Sequence, residues 1–404
     1  MKTIKSAADL AINGAPPAFE EPLHVGRPNM GDRTAFLKYA NEIFDRRWLT
    51  NNGPMVQELE QRIAEYHKVK HCIAMSNGTI ALEIAIRALG LEGEVIIPSY
   101  TFIATAHALH WQAITPVFAD IDPISHNLDP ASVRAMITPR TSGIIGVHLW
   151  GRCAPVEELQ EIADEFNLKL MFDAAHAFAC SYKDTMIGNF GACEILSFHA
   201  TKFFNTFEGG AVLTNDDEMA QTMRLMRNFG FDGVDNVIHP GTNGKMTEMA
   251  AAMGLVNLDA IDGVIEANKQ NYITYKSELD KLPGIHVIDF DESQYNNYQY
   301  IVVEIIDQCP VSRDFIIQAL HAENILARKY FWPGCHSMKP YRDLFPHSGL
   351  LLKNTIKIAE NVIVLPTGTT INEALVKTVT GVIHMVLATH QGRQQVIEQT
   401  TLNH

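Results

Sequence analysis

Short apolar runs and amphipathic stretches alternate along the first two thirds of the chain. "HCIAMS" precedes "GTIALEIAIRALG", "EVIIP" precedes "TFIATAHALHWQ", "ITPVFADI" precedes "DPASVRAMI", and "SGIIGVHLWG" precedes "PVEELQEIADEF". "LKLMFDAA", "GACEILSF" and "GAVLTN" follow, and the last runs into "DDEMAQTMRLMRNFG". Continuous apolar runs of strand length read as strands buried on both faces, and the periodic stretches between them read as covering helices. The pattern predicts an α/β fold built on a mainly parallel sheet between helix layers. From about residue 265 it changes: a long helical stretch leads into "IHVIDF", "YQYIVVEI", "SRDFIIQALHAEN" and "ILARKY", which read as a smaller α+β domain. The expected organisation is an N-terminal arm over 1–25, a large domain over 26–265 and a small C-terminal domain over 266–404. The arm, rich in Pro, Ala and Glu, is placed on a partner subunit. No repeat or low-complexity tract interrupts the pattern.

A chain of 404 residues that is 47% hydrophobic can bury a sizeable core. No run approaches the length of a membrane span, and the N-terminus lacks a signal-like apolar core, so a cytoplasmic protein with no membrane contact is expected. The six cysteines are scattered without a C-x-x-C pair, which predicts reduced and mostly buried thiols. A formal charge of -14 excludes a general nucleic-acid binder and means that an anionic substrate needs local cations. None of the 17 histidines falls in an H-E-x-x-H pattern, so no metal is expected.

Ligands of open α/β sheets gather at the carboxyl ends of the strands. Three strand-to-helix loops therefore matter. In "MSNGTIAL", Gly78 and Thr79 open a helix whose free N–H groups and dipole suit a phosphate; the same residues also fit an ordinary capping turn. In "LKLMFDAAHAFA", Asp173 ends a buried run and needs a cationic or N–H partner, with His176 three residues on; a capping Asp and a core His fit equally. In "LSFHATKFFNTFEGGAV", Lys202 stands just beyond a strand end among apolar and aromatic residues, with Ser197 and His199 nearby. A desolvated amine has a depressed pKa and becomes a nucleophile toward carbonyls, whereas a lone lysine can also snorkel to water.

An anion cradle, a strand-end Asp and a desolvated Lys in this order are what pyridoxal phosphate requires. The motifs "SNGTIAL", "EVIIPSYTFIAT", "GVHLWG", "FDAAHAF", "SFHATKFFNTFEGGAV" and "GTNGKMTEMAAAMGL" resemble those of the DegT/DnrJ/EryC1/StrS sugar aminotransferases, from about residue 25 to near the C-terminus. The resemblance implies a fold-type I pyridoxal phosphate enzyme. It makes Lys202 the lysine bonded to the cofactor, Asp173 the partner of the pyridine nitrogen, and Gly78, Thr79 and Ser197 the phosphate contacts. Phe102 takes the place of the aromatic stacked on the cofactor ring, and Asn228 that of the residue reaching the cofactor phosphate of the other subunit. His176 stands beside the phenolic oxygen, where many members have glutamine. The implied assembly is a homodimer with shared active sites.

The resemblance further implies L-glutamate as amino donor and a nucleotide-linked keto sugar as acceptor. Its motifs are most similar to those of members that aminate dTDP-4-keto-6-deoxyglucose to dTDP-4-amino-4,6-dideoxyglucose. A 3-keto-6-deoxyhexose nucleotide is the alternative acceptor, and a non-catalytic regulatory protein binding pyridoxal phosphate or a sugar nucleotide is the alternative of another class. Candidate substrate residues are Lys245, His148, Lys329 and Tyr330. Glu208 and His148 lie near the cofactor by motif position, though a structural ion pair and a core histidine fit them equally; Arg33 and Arg328 are further cations, and "KYFWPGCH" replaces the family's usual His-Tyr-Pro segment.

Overall fold

The computed structural model describes residues 2 and 4–402; of the expected spans, residues 1, 3, 403 and 404 lie outside the described residues. Seven strands build the large sheet: β1 (His71–Met75), β2 (Glu94–Pro98), β3 (Thr115–Ala119), β4 (Thr141–Val147), β5 (Lys169–Asp173), β6 (Glu194–Ser197) and β7 (Gly210–Thr214). Their order is β1-β7-β6-β5-β4-β2-β3, with β7 antiparallel to both neighbours and the other pairs parallel. Helices cover the sheet on both faces, which is why the strands are apolar throughout: all five residues of "EVIIP" and of "GAVLT" are buried.

The register fixes where chemistry can occur. Val147 pairs with Asp173, Asp173 with Ile195, Ser197 with Gly210, and Gly210 with Met75. Four strand termini are thereby brought to one edge, and the loops that leave β1, β4, β5 and β6 meet there.

The small domain contains an antiparallel sheet of β8 (Ile285–Val287), β9 (Ile301–Ile305) and β10 (Val362–Leu365). The helix Ile261–Leu279 joins the domains: Ile261 and Val264 pack in the large core, while Tyr272, Tyr275 and Leu279 pack in the small one. The boundary expected near residue 265 thus falls inside a continuous helix.

Of the expected arm, residues 4–25 instead pack against the small domain of their own chain. Leu10 and Leu23 are buried in its core, and Leu23–His24 pairs in parallel with Ile325–Leu326. The buried carboxylate of Glu323 accepts the N–H groups of Ala11 and Ala18 and pairs with Lys2. Composition suggested a loose segment, but two buried leucines and a satisfied internal carboxylate are enough to dock it.

All six cysteines are free thiols, four of them buried. Among the described residues no helix is long and apolar enough to cross a membrane, and no group of three or more His, Cys, Asp or Glu is gathered for a metal.

Candidate active site

A cleft of about 550 Å³ opens at the carboxyl edge of the sheet under the small domain, a size in the usual range for small-molecule sites. On its floor, Asn77 caps the helix Gly78–Ala88 by accepting the Ile80 N–H at 2.9 Å. The first N–H groups of that helix have no intrahelical acceptor, and Gly78 and Thr79 line the cleft. Gly78 is needed for a close approach: a Cβ there would lie 3.0 Å from Ser197 Cβ and 3.3 Å from its hydroxyl oxygen. The glycine lets the helix N-terminus and the Ser197 hydroxyl share one concavity, which fits a phosphate group. Gly78, Thr79 and Ser197 all line it.

Asp173, the last residue of β5, is buried at the cleft wall. Its carboxylate accepts from the Thr105 hydroxyl at 2.8 Å and from the Ala175 N–H at 3.1 Å. Burial nevertheless pushes its pKa up, because those bonds and the Lys202 charge only partly replace water. A buried carboxylate that lines a cleft fits a cationic ring nitrogen brought in by a cofactor.

Lys202 projects from the loop after β6, its Nζ 3.3 Å from the Tyr300 hydroxyl and 5.8 Å from that ring's centroid. Desolvation lowers its pKa to about 8, against the opposing pull of Asp173. The alternative of a lysine reaching out to water does not hold in the structure: the amine is enclosed between β6 and the small domain.

Aromatic rings form the remaining wall. Phe331 stacks on Trp150 at 5.4 Å and on Tyr330 at 5.1 Å, and His176 lies 4.6 Å from Tyr300. Phe102 caps the helix Ile103–His110 and remains 57% exposed in the cleft, an open apolar face that a planar ligand would cover. The residues present therefore fit pyridoxal phosphate at its phosphate, its ring nitrogen and its ring face.

Several expected site residues lie elsewhere. His148 is fully buried away from the cleft: Nε2 is 2.9 Å from Glu194, Nδ1 accepts the Ala154 N–H at 3.0 Å, and the ring stacks on Phe172. Both nitrogens are used internally, so it is a core histidine and not a substrate contact. Lys329 does not line the cleft, because its ammonium is paired with Asp314 at 2.7 Å. The adjacent Arg328 does line it, with its guanidinium 4.8 Å from the Tyr330 ring centroid. Chain direction along one turn decided between neighbouring cations, which a one-residue pattern does not encode. Tyr330 and Glu208 line the cleft as expected. Arg33 is exposed at the start of the helix Arg33–Arg46 and lies outside it.

Asn228 and Lys245 also lie outside the cleft of their own chain. They line a separate depression with Arg224 and Arg227, where the Lys245 ammonium sits 4.7 Å from the Phe229 ring centroid. Residues that sequence reasoning missed are Tyr300, Thr105 and Phe331. Tyr300 and Phe331 come from the small domain, and nothing in the local pattern relates them to Lys202. Thr105 had a signal, since it lies in the quoted "SYTFIAT" motif one helical turn after Phe102.

A desolvated lysine and a buried carboxylate on the carboxyl edge of a mainly parallel seven-stranded sheet, closed by a small α+β domain, define a fold-type I aminotransferase. The chain belongs to the DegT/DnrJ/EryC1/StrS aminotransferase family, whose model matches residues 31–384. Among curated relatives, a dTDP-4-amino-4,6-dideoxy-D-glucose transaminase of Escherichia coli is 38% identical over 366 residues, covering 89% of this chain and 98% of the relative. One of the same name from Shigella dysenteriae is 36% identical over 347 residues, covering 86% and 94%. Among solved structures, DesI in the presence of its TDP-sugar product superposes with a TM-score of 0.91 at 45% identity, covering 98% of this chain and all of that one.

Proposed function

We propose that this aminotransferase uses pyridoxal phosphate to transfer the amino group of L-glutamate to C4 of dTDP-4-keto-6-deoxyglucose, giving dTDP-4-amino-4,6-dideoxyglucose. The observation that carries the chemistry is the enclosed Lys202 amine, with a pKa of about 8, in the same cleft as the buried carboxylate of Asp173. The sugar and nucleotide are argued from the relatives' names.

Pyridoxal phosphate supplies an aldehyde that bonds to amines and a ring that takes up the electron pair left when the donor's Cα loses its proton. Gly78 and Thr79 N–H groups and the Ser197 hydroxyl hold the phosphate. Asp173, held in place by Thr105 and the Ala175 N–H, would keep the ring nitrogen protonated. Phe102 would cover one ring face, and His176 would stand at the phenolic oxygen. Lys202 would hold the cofactor through its aldehyde carbon, and its amine, when free, would accept the proton that the donor's Cα loses and give it up to the carbon that takes over the amino group. An amine with a pKa near the working pH performs both steps, and the Tyr300 hydroxyl orients it. Arg328 is the cleft's cation for substrate carboxylate or diphosphate, and Tyr330 flanks it.

The acceptor is tested by supplying L-glutamate with the separate 4-keto and 3-keto dTDP-6-deoxyhexoses and locating the new amine by NMR. Amination at C4 of the 4-keto sugar is expected. Turnover of the 3-keto sugar alone overturns the C4 assignment, and a bound cofactor with no half-reaction on glutamate favours a regulatory binding protein.

We infer in addition a homodimer in which Asn228 and Lys245 serve the partner's cleft. Exposed Leu37, Phe44, Trp48 and Leu49 near one end of the chain, and Phe229, Val237 and Ile238 beside the Asn228 depression, leave apolar area that a monomer would expose to water. Mixing two inactive variants, Lys202→Ala and Asn228→Ala, should restore about one quarter of the parent activity, since half of randomly formed dimers are mixed and one of their two sites is intact. No recovery above either variant alone would overturn shared sites.

A further inference from the structure

Behind the aromatic wall, Glu304 and His126, which lie outside the family motifs, join the motif residues Trp150 and His176 in one polar chain. Glu304, on β9 of the small domain, places Oε1 2.7 Å from His126 Nε2. His126 is fully buried, and its Nδ1 accepts the Trp150 indole N–H at 3.2 Å. Trp150 is fully buried too, and its backbone N–H donates to His176 Nδ1 at 3.3 Å. Its indole stacks against the same imidazole at 5.9 Å and 23°.

We infer that Glu304, His126 and Trp150 are positioning residues that fix the proton of His176 on Nε2 and aim that N–H at the cofactor's phenolic oxygen. The cofactor end of this statement rests on the pyridoxal phosphate reading above. The indole fixes the first ring: His126 Nδ1 accepts the Trp150 indole N–H and must be a lone pair, so a neutral His126 carries its proton on Nε2, beside the Glu304 carboxylate that lies near it as a charge neighbour outside hydrogen-bond geometry. At the other end the Trp150 N–H occupies His176 Nδ1, which leaves Nε2 as the protonated nitrogen of a neutral ring. Burial and the Lys202 charge hold His176 well below the usual imidazole pKa, consistent with a single neutral tautomer.

The backbone gives an independent reason to regard Trp150 as placed for a purpose. It has φ 63° and ψ 6°, in the left-handed region, next to Gly151 at φ 87°. A bulky residue persists there only when its surroundings over-determine it. Here they do: the indole is hydrogen-bonded to His126 and stacked on Phe331, and the residue's backbone N–H donates to His176, which lines the cleft. Tyr300 and Lys202 are the titratable groups facing His176; Tyr100, Asp122 and Arg152 surround His126 and Glu304. A hydrogen bond donated to the phenolic oxygen stabilises its anion, so loss of the fixed tautomer raises the pH at which the bound cofactor's visible band changes.

Two measurements test this. In cofactor-free protein labelled with 15N-histidine, with the His176 signals assigned by their loss in His176→Gln, the ring should show Nε2–H and a bare Nδ1. Trp150→Phe and the conservative Glu304→Gln should bring the two nitrogen shifts toward each other. In the loaded enzyme, both variants should move the midpoint of the visible band upward by at least about 0.5 pH unit. Neither should move it in a His176→Gln background, where the amide has no tautomer to misplace. Unchanged nitrogen shifts in the Glu304→Gln and Trp150→Phe proteins, or an equal midpoint shift with glutamine at 176, would overturn the proposal. A correct His176 tautomer in a protein that binds no pyridoxal phosphate would sink the cofactor reading and leave the proton assignment standing.

Discussion

A Lys202→Ala protein is expected to bind pyridoxal phosphate without the visible absorbance of a lysine-bound cofactor and to lose turnover by about 10³-fold or more. The substitution removes the group that would hold the aldehyde carbon and, among the described residues, the only lysine amine lining the cleft; general acid–base transfer alone contributes about 10²–10⁴-fold. Normal activity in that variant would end the assignment. The same desolvation has a stability consequence that does not depend on the cofactor. The folded pKa of Lys202 is about 8 against an ordinary 10.5. Between those values the unfolded chain binds more protons than the folded one, so this group makes stability rise with pH across that window, and its burial penalty is fully present below it. Cofactor-free Lys202→Met should therefore melt above the parent at pH 7, with a gap that narrows as pH rises from about 8 toward about 10.5. A scanning-calorimetry series in which the gap is absent or widens with pH would contradict the enclosed amine.

Asp173→Asn should cut turnover by about 10²–10³-fold while leaving the cleft's shape intact. Removing one partner of a buried charge pair costs about 3–5 kcal/mol, and here the lost partner is the one that keeps the ring nitrogen protonated. Without the cofactor the sign reverses. Burial raises the Asp173 pKa above its ordinary value, so the folded state holds a proton that the unfolded state has released, and stability falls as pH climbs from the ordinary value through the raised one. The asparagine removes that penalty. Cofactor-free Asp173→Asn should melt higher than the parent at neutral pH, and the difference should vanish as pH falls below the ordinary carboxylate range. A lower melting temperature at neutral pH would mean that Thr105 and the Ala175 N–H stabilise the carboxylate by more than burial costs it.

These two residues were legible because strand ends are legible. "LKLMFD" and "CEILSF" are continuous apolar runs that terminate in a polar residue or lead directly to one, and in a doubly covered parallel sheet such ends converge on one edge. Gly78 beside Ser197 was legible for a related reason: a glycine at a strand-to-helix turn signals a close approach, and the approach is to the end of the next strand but one in the sheet. His148 read as a site residue because "GVHLWG" carries it to the same edge. Its side chain instead meets Glu194 and the Ala154 N–H in the core, because the chain leaves extended geometry at His148 and no motif position encodes that turn.

The sequence by itself determined the elements and the edge where chemistry sits, because burial on both faces demands unbroken apolar strands and a nucleophilic amine demands apolar neighbours. Only the tertiary structure decided which groups meet there across domains. Tyr300, just before β9, reaches Lys202, Glu304 on β9 reaches His126, and Arg328 faces the cleft while Lys329 is neutralised by Asp314. It also decided that residues 7–24 pack on the small domain of their own chain. These are contacts between segments far apart in sequence, set by how two cores dock. No local periodicity carries that information, because the same pattern of apolar and polar positions is satisfied by any partner surface of matching shape.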